Sequence, residues 1–142
     1  MAVDVFINFN GTCRNAVEFY AKVFNAEKPK FMTFGDTPPN PEFPLTEEAK
    51  NLIMYTYLNI NGSNVMFSDI PPSMTFIEGN NISLIIGSTD LDEIKSLFDK
   101  LKEGGSVDME LQETFWSKCY GSLTDKFGIR WQLSYSSGET EK

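Results

Sequence analysis

The sequence predicts an α+β fold of two tandem βαβββ modules, whose curved mixed sheets form a concave cavity. Three observations carry that expectation. The order strand, helix, three strands occurs twice in 142 residues. Each helical segment has one apolar stripe, and the first, fifth and last strands each have one apolar face to meet it. A turn-rich stretch, "PPSMTFIEGN", separates the two runs. The expected organisation is a single domain over residues 1–142: module 1 at about 1–70, a linker at 71–80, module 2 at 81–136, and a short polar C-terminal tail.

The elements follow in order. "VDVFINF" alternates, with Val3, Val5, Ile7 and Phe9 on one face and Asp4, Phe6 and Asn8 on the other. "NGT" offers a turn and an N-cap at Thr12, after which Ala16, Val17, Tyr20, Val23 and Phe24 recur at helical spacing. "KPKFMTF" reads as a second strand. Residues 36–50 hold four prolines and several acidic groups, which predicts a long surface loop. "NLIMYTYLNI" and "NVMFSDI" flank Asn61-Gly62, a strong hairpin signal.

In the second run, "NISLIIG" is a strand. The helix after it has capping-box spacing at Asp90 and Glu93, a stripe of Leu91, Ile94, Leu97, Phe98 and Leu101, and a stop at Gly104-Gly105. "SVDMELQET", "SKCYGSLTD" and "IRWQLSY" complete the set as three strands. Trp131 shares parity with Ile129 and Leu133 and is expected in the core.

Composition narrows the function. A net charge of −8 without a basic cluster argues against nucleic acid as a partner. No apolar run is long enough to span a bilayer, and "MAVDVFINFN" has no basic region or cleavage site, so a cytoplasmic location away from membranes is expected. Cys13 and Cys119 form no C-x-x-C and read as small buried thiols. With no histidine in the chain, neither has a partner base, and no Ser-His pair can form.

The faces turned away from the helices are more telling. They gather Asp4, Phe6 and Asn8, then Ser83 and Ile85, then Arg130, Gln132 and Ser134, joined by Tyr55, Tyr57 and Asn59. Aromatic walls with a few hydrogen-bonding groups are how small-molecule sites are built. The ligand-binding candidates are therefore Asp4, Phe6, Asn8, Tyr55, Tyr57, Ser83, Arg130 and Gln132, with Asp4, Tyr55 and Tyr57 as candidate acid–base residues. Asp4 would serve as a base only if burial raised its pKa, and pairing with Arg130 is the competing reading.

The paired βαβββ units, "FNGTCRNAVEFYAKVF", "NGSNVMFSD" and the ending with Trp116, Tyr120-Gly121 and "DKFGIRWQL" resemble the glyoxalase/bleomycin resistance/dioxygenase, or vicinal oxygen chelate, superfamily. Within it they are similar to the PhnB-like branch, which carries a 3-demethylubiquinone 3-methyltransferase-like label. The resemblance covers essentially the whole chain. It implies a divalent metal held by outer positions of the first, fourth, fifth and eighth strands, which correspond here to Asp4, Phe67 or Ser68, Ser83 and Gln132. Related chains often have histidine where this one has Tyr55 and Ile129. A carboxylate, a hydroxyl and an amide make a poor transition-metal site, so neither a metal nor another cofactor is expected. The resemblance then implies a metal-independent small-molecule binding protein. The alternatives are an isomerase- or lyase-type enzyme using a carboxylate or tyrosine, and a degenerate paralogue with an interaction role. The partners expected are an unidentified small molecule and a second copy of the chain. The homodimer rests on the long inter-module segment and on the aromatic groups Phe31, Phe34, Phe115 and Trp116 at the rim.

Overall fold

In the computed structural model, which describes residues 3–39, 41–42 and 44–136, each predicted module forms a four-stranded mixed sheet. The first comprises β1 (Val5–Phe9), α1 (Cys13–Val23), β2 (Met32–Thr33), α2 (Glu47–Lys50), β3 (Ile53–Ile60) and β4 (Ser63–Asp69). The second comprises β5 (Leu84–Ser88), α3 (Leu91–Leu101), β6 (Ser106–Gln112), β7 (Cys119–Thr124) and β8 (Arg130–Tyr135). The sheets are ordered β1-β4-β3-β2 and β5-β8-β7-β6. In each, the opening strand lies parallel to the closing strand, and the other pairs are antiparallel. The chain divides into two compact units between Ile77 and Glu78.

In the first unit, α1 buries Cys13, Ala16, Val17, Tyr20 and Val23, a stripe packed against β3 and β4. Phe67 stacks between Phe9 and Tyr20 in that layer, at centroid distances of 6.3 and 5.8 Å. Burying each such aromatic or branched side chain contributes about 2 kcal/mol. Strand β1 is shorter than its alternation suggests. Val3 lies ahead of it and is 99% exposed, so the buried face begins further along.

Thr12 stands at the N-cap position, but its side chain makes no capping bond. Its backbone (φ −107°, ψ 8°) is not the extended geometry from which a side chain reaches back to the helix. The buried carboxylate of Asp69, at the end of β4, does the work instead. Its Oδ1 accepts the N–H of Gly11 at 2.9 Å and of Cys13 at 3.0 Å, and its Oδ2 accepts the N–H of Ile53 at 2.9 Å. Gly11 has φ +91°, a conformation that lets the two amides converge on one oxygen. The Cys13 thiol beside it is fully buried, and burial, reinforced by the Asp69 charge, pushes its pKa up to about 12.

Two expectations for this unit need correction. The strand in "KPKFMTF" shrinks to two residues, because Asp36 accepts the Thr33 N–H at 2.9 Å and folds Phe34–Asp36 into a 3-10 turn. That bond, with a second from the Thr33 side chain, holds the Asp36 carboxyl below its usual pKa. The stretch 36–50 is not loop throughout. Thr46 accepts the Ala49 N–H at 3.1 Å and opens α2, whose Ala49 is buried. Asn40 and Phe43 of this stretch, and the polar tail from 137 onward, lie outside the described residues. The hairpin between β3 and β4 turns at Asn61 (φ 49°) and Gly62 (φ 92°), as its Asn-Gly pair requires.

The second unit follows its local signals closely. Asp90 accepts the Glu93 N–H at 3.2 Å; Glu93 accepts the Ser88 hydroxyl at 2.6 Å, and Ser88 Oγ accepts the Asp90 N–H at 3.0 Å. Ile94, Leu97, Phe98 and Leu101 are buried, and Gly104, with φ +75°, follows the helix. Gly121 on β7 makes the close approach possible, since a Cβ there would fall 2.9 Å from the Phe98 ring. Ile82, which alternates with Leu84 and Ile86 in "NISLIIG", lies ahead of β5 and is 77% exposed, so the apolar face of this strand begins at Leu84. Trp131 is in the core at 2% exposure, its Nε1–H donating to Asp125 Oδ2 at 2.8 Å. Asp125 Oδ1 accepts the N–H groups of Phe127 and Ile129, so this buried carboxylate organises the turn into β8.

Candidate ligand-binding faces

Each sheet has one face covered by its helix and one left open, and strand parity decides which side chains reach the open one. In the first unit the register sets Phe6 beside Met66 and Met66 beside Tyr57, with Asn8 beside Ser68 in the next row. Phe6 and Tyr57 are about half exposed, and Tyr55 lies 6.3 Å from Phe6 and 6.2 Å from Tyr57 by ring centroids. The four predicted residues Phe6, Asn8, Tyr55 and Tyr57 thus share one aromatic face. Asn8 is already engaged, its Oδ1 accepting the Ser68 hydroxyl at 2.7 Å. Ser68, not Phe67, is the open-face member of that pair of positions, since Phe67 is fully buried under α1. Asp4 precedes β1 and is exposed, so the burial that general-base chemistry would need there is absent.

The open face of the second unit is a polar lattice. Strand β8 contributes Arg130, Gln132 and Ser134, and β7 sets Thr124, Ser122 and Tyr120 opposite them in turn. On the other side of β8, Ile85 lies beside Gln132 and Gly87 beside Ser134. Gln132 reaches both ways: its Nε2 donates to Ser83 Oγ at 2.6 Å, and its Oε1 accepts the Tyr120 hydroxyl at 2.6 Å. Tyr120 in turn meets Trp116 edge-on at 5.3 Å, and Trp116 meets Phe115 edge-on at 4.8 Å. Arg130 has Asp108 as its ionic partner, at 3.9 Å, while Asp108 Oδ2 also accepts the Thr124 hydroxyl at 3.1 Å. A register shift between Val107 and Met109 leaves Asp108 out of the regular β6–β7 ladder.

This donor set does not fit a divalent transition metal. Ser83 and Gln132 are neutral and bonded to each other, the Gln132 carbonyl is taken up by Tyr120, and Ser68 is bonded to Asn8. Among the described residues, no three of His, Cys, Asp and Glu gather as metal ligands would. Residue patterning pointed to Gln132 but missed Tyr120 and Asp108. Tyr120 was legible from its parity with Ser122 and Thr124, whereas Asp108 reaches its place only through the bulge.

Architecture and sequence together define the class of protein. The chain matches the model of the 3-demethylubiquinone-9 3-methyltransferase family over residues 2–134, and it belongs to that PhnB-like family. It is 30% identical to Protein YjdN of Escherichia coli (strain K12), across 94% of this chain and 95% of that one. Protein PA1353 from Pseudomonas aeruginosa superposes with a TM-score of 0.79 at 29% identity, covering 95% of this chain and 98% of the other. The PhnB protein from Bacillus cereus follows at 0.73 and 24% identity, covering 96% and 100%. The fold is that of the glyoxalase/bleomycin resistance superfamily, shared with a glyoxylase/bleomycin resistance protein/dioxygenase domain from Frankia sp. EAN1pec (TM-score 0.65, 13% identity, covering 96% and 97%). No helix among the described residues is long and apolar enough to cross a membrane.

Proposed function

We propose that this chain is a metal-independent, cytoplasmic small-molecule binding protein, with candidate ligand-binding residues Phe6, Tyr55 and Tyr57 on the open sheet face of the first unit and Ser83, Arg130 and Gln132 on that of the second. The observation that carries this reading is the Ser83–Gln132–Tyr120 chain. The family resemblance implies metal ligands at Gln132 and Ser83, and here they are neutral groups bonded to one another. Their arrangement favours hydrogen bonding to a ligand over coordination of an ion. The acid–base alternative draws less support, because Asp4 is exposed. A homodimer with both copies contributing to each cavity accords with the half-exposed Trp116 and the 97% exposed Phe115.

Elemental analysis of the purified protein should find no stoichiometric transition metal. A broad thermal-shift screen should yield small molecules that raise the midpoint, since ligand at a hundred times its Kd stabilises by about 2.7 kcal/mol. A near-stoichiometric metal lost on Gln132→Ala, or a screen without a single hit, would overturn the reading. Light scattering at micromolar concentration should report a dimer, and a monomer would reject that part of the proposal.

A further inference from the structure

We infer that the open face of the second unit takes an arylalkyl carboxylate, its carboxylate on Arg130 and its ring against Tyr120 and Trp116. This deepens the binding-protein reading and rests on it. The first observation is a surplus of donors. Each hydroxyl of the Ser83–Gln132–Tyr120 chain carries one proton and the amide carries two. Two are used in its two bonds, so one amide N–H and one hydroxyl proton are left over. The count is the same whichever way the amide is turned. These groups are part-buried on an open face, so the spare donors are available to a ligand rich in oxygen acceptors, which would take them over from water.

The second observation concerns Arg130. Its guanidinium has five N–H donors in a planar fork that matches a carboxylate. Its ionic contact to Asp108 is 3.9 Å long, beyond hydrogen-bond distance, and both side chains are more than a third exposed. Such a pair contributes little, and the Asp108 oxygen involved already accepts from Thr124. Arg130 therefore has most of its donors available to an incoming anion.

The third observation sets the other end of the ligand. Beyond Gln132, on the side away from Arg130, Tyr120 and Trp116 form an edge-to-face pair, and Trp116 is 48% exposed. Arg130 and Gln132 are two residues apart on β8, a separation of about 7 Å. Tyr120 stands opposite Ser134, four residues along β8 from Arg130 and about 13 Å away by backbone. Its hydroxyl reaches back to Gln132, so a ring laid against the phenol and a carboxylate met by the long Arg130 side chain lie within the span of a short alkyl chain.

The two tryptophans provide the readout, since Trp131 is buried and Trp116 is open. Titration with 3-phenylpropionate should change the tryptophan emission saturably, and the change should vanish in Trp116→Phe. The Kd should be at least tenfold lower than for 3-phenylpropionamide, which keeps the ring and loses the charge, and than for propionate, which loses the ring. Arg130→Gln should abolish the preference for the acid over the amide without moving the melting temperature of the free protein. Asp108→Asn should tighten acid binding several-fold by removing the like charge. Equal response to acid and amide, a preference that survives Arg130→Gln, or weaker acid binding in Asp108→Asn would each overturn the assignment. Hits confined to neutral compounds in the thermal-shift screen would overturn it and leave the binding function standing. A screen with no hits at all would remove both.

Discussion

The two units begin their long helices by opposite means. In the second, the cap is local: Asp90, Ser88 and Glu93 bond among themselves within six residues of chain. In the first, the residue at the cap position contributes nothing through its side chain, and Asp69, 56 residues from Cys13, takes its place. The same carboxylate holds Ile53 at the start of β3. One βαβββ order therefore admits a helix start written in adjacent residues and another that exists only once the sheet has formed.

The largest consequence is that the distant cap should matter far more than the local one. Asp69 is only 2% exposed, and Asp69→Ala would leave the buried N–H groups of Cys13 and Ile53, and the part-buried one of Gly11, without their acceptor. Hydrogen bonds to a charged acceptor, and the cost of orphaned buried donors, put the loss on the order of 4 kcal/mol. Urea denaturation followed by circular dichroism measures it. A loss no greater than that of Asp90→Ala would break the contrast between the two units.

What the sequence made legible follows the same division. Strand alternation, the helical stripes, the Asn61-Gly62 turn and the Asp90 cap depend on neighbours a few residues apart, and all are present in the structure. Thr12 misled because a good cap residue with the right spacing has no means of announcing that another carboxylate will arrive first. Val3 and Ile82 misled because alternation continues past the point where a partner strand ends. On the candidate faces, parity alone placed Phe6, Tyr55, Tyr57, Arg130 and Gln132. It gave no hint that Gln132 would bond to Ser83 and Tyr120, which depends on side-chain reach from β8 to β7 on one side and to the residue before β5 on the other.

Asp125 tests whether buried carboxylates are a shared device of both units. It resembles Asp69 in accepting two backbone N–H groups with one oxygen, and differs in giving the other to a side chain, the Trp131 indole. Trp131→Phe removes that donor and part of a fully packed ring. The expected loss is about 2 kcal/mol, combining a hydrogen bond to a charged group with a small cavity. Acrylamide should quench Trp116 in the native wild type and leave Trp131 dark to it until unfolding. Free quenching of Trp131 would place the second unit's core elsewhere and remove the parallel with Asp69.

The smallest effect is expected at Asp90 itself. Its carboxylate accepts a single N–H, from Glu93 at 3.2 Å, in an exposed position where water can replace it. Asp92 and Glu93 also place negative charge in the first turn, so the favourable interaction with the helix N-terminus survives the loss of one carboxylate. Asp90→Ala should therefore cost about 1 kcal/mol, and Asp90→Asn, which keeps an accepting oxygen, only a fraction of that. The Ser88–Glu93 bond gives an independent handle. Ser88→Ala removes both the hydroxyl that Glu93 accepts and the oxygen that receives the Asp90 N–H, so its effect should not add to that of Asp90→Ala. Chemical denaturation of the two single variants and the double variant measures the coupling. Simple additivity would mean that the three residues act separately, and the local cap would no longer be the cooperative counterpart of Asp69.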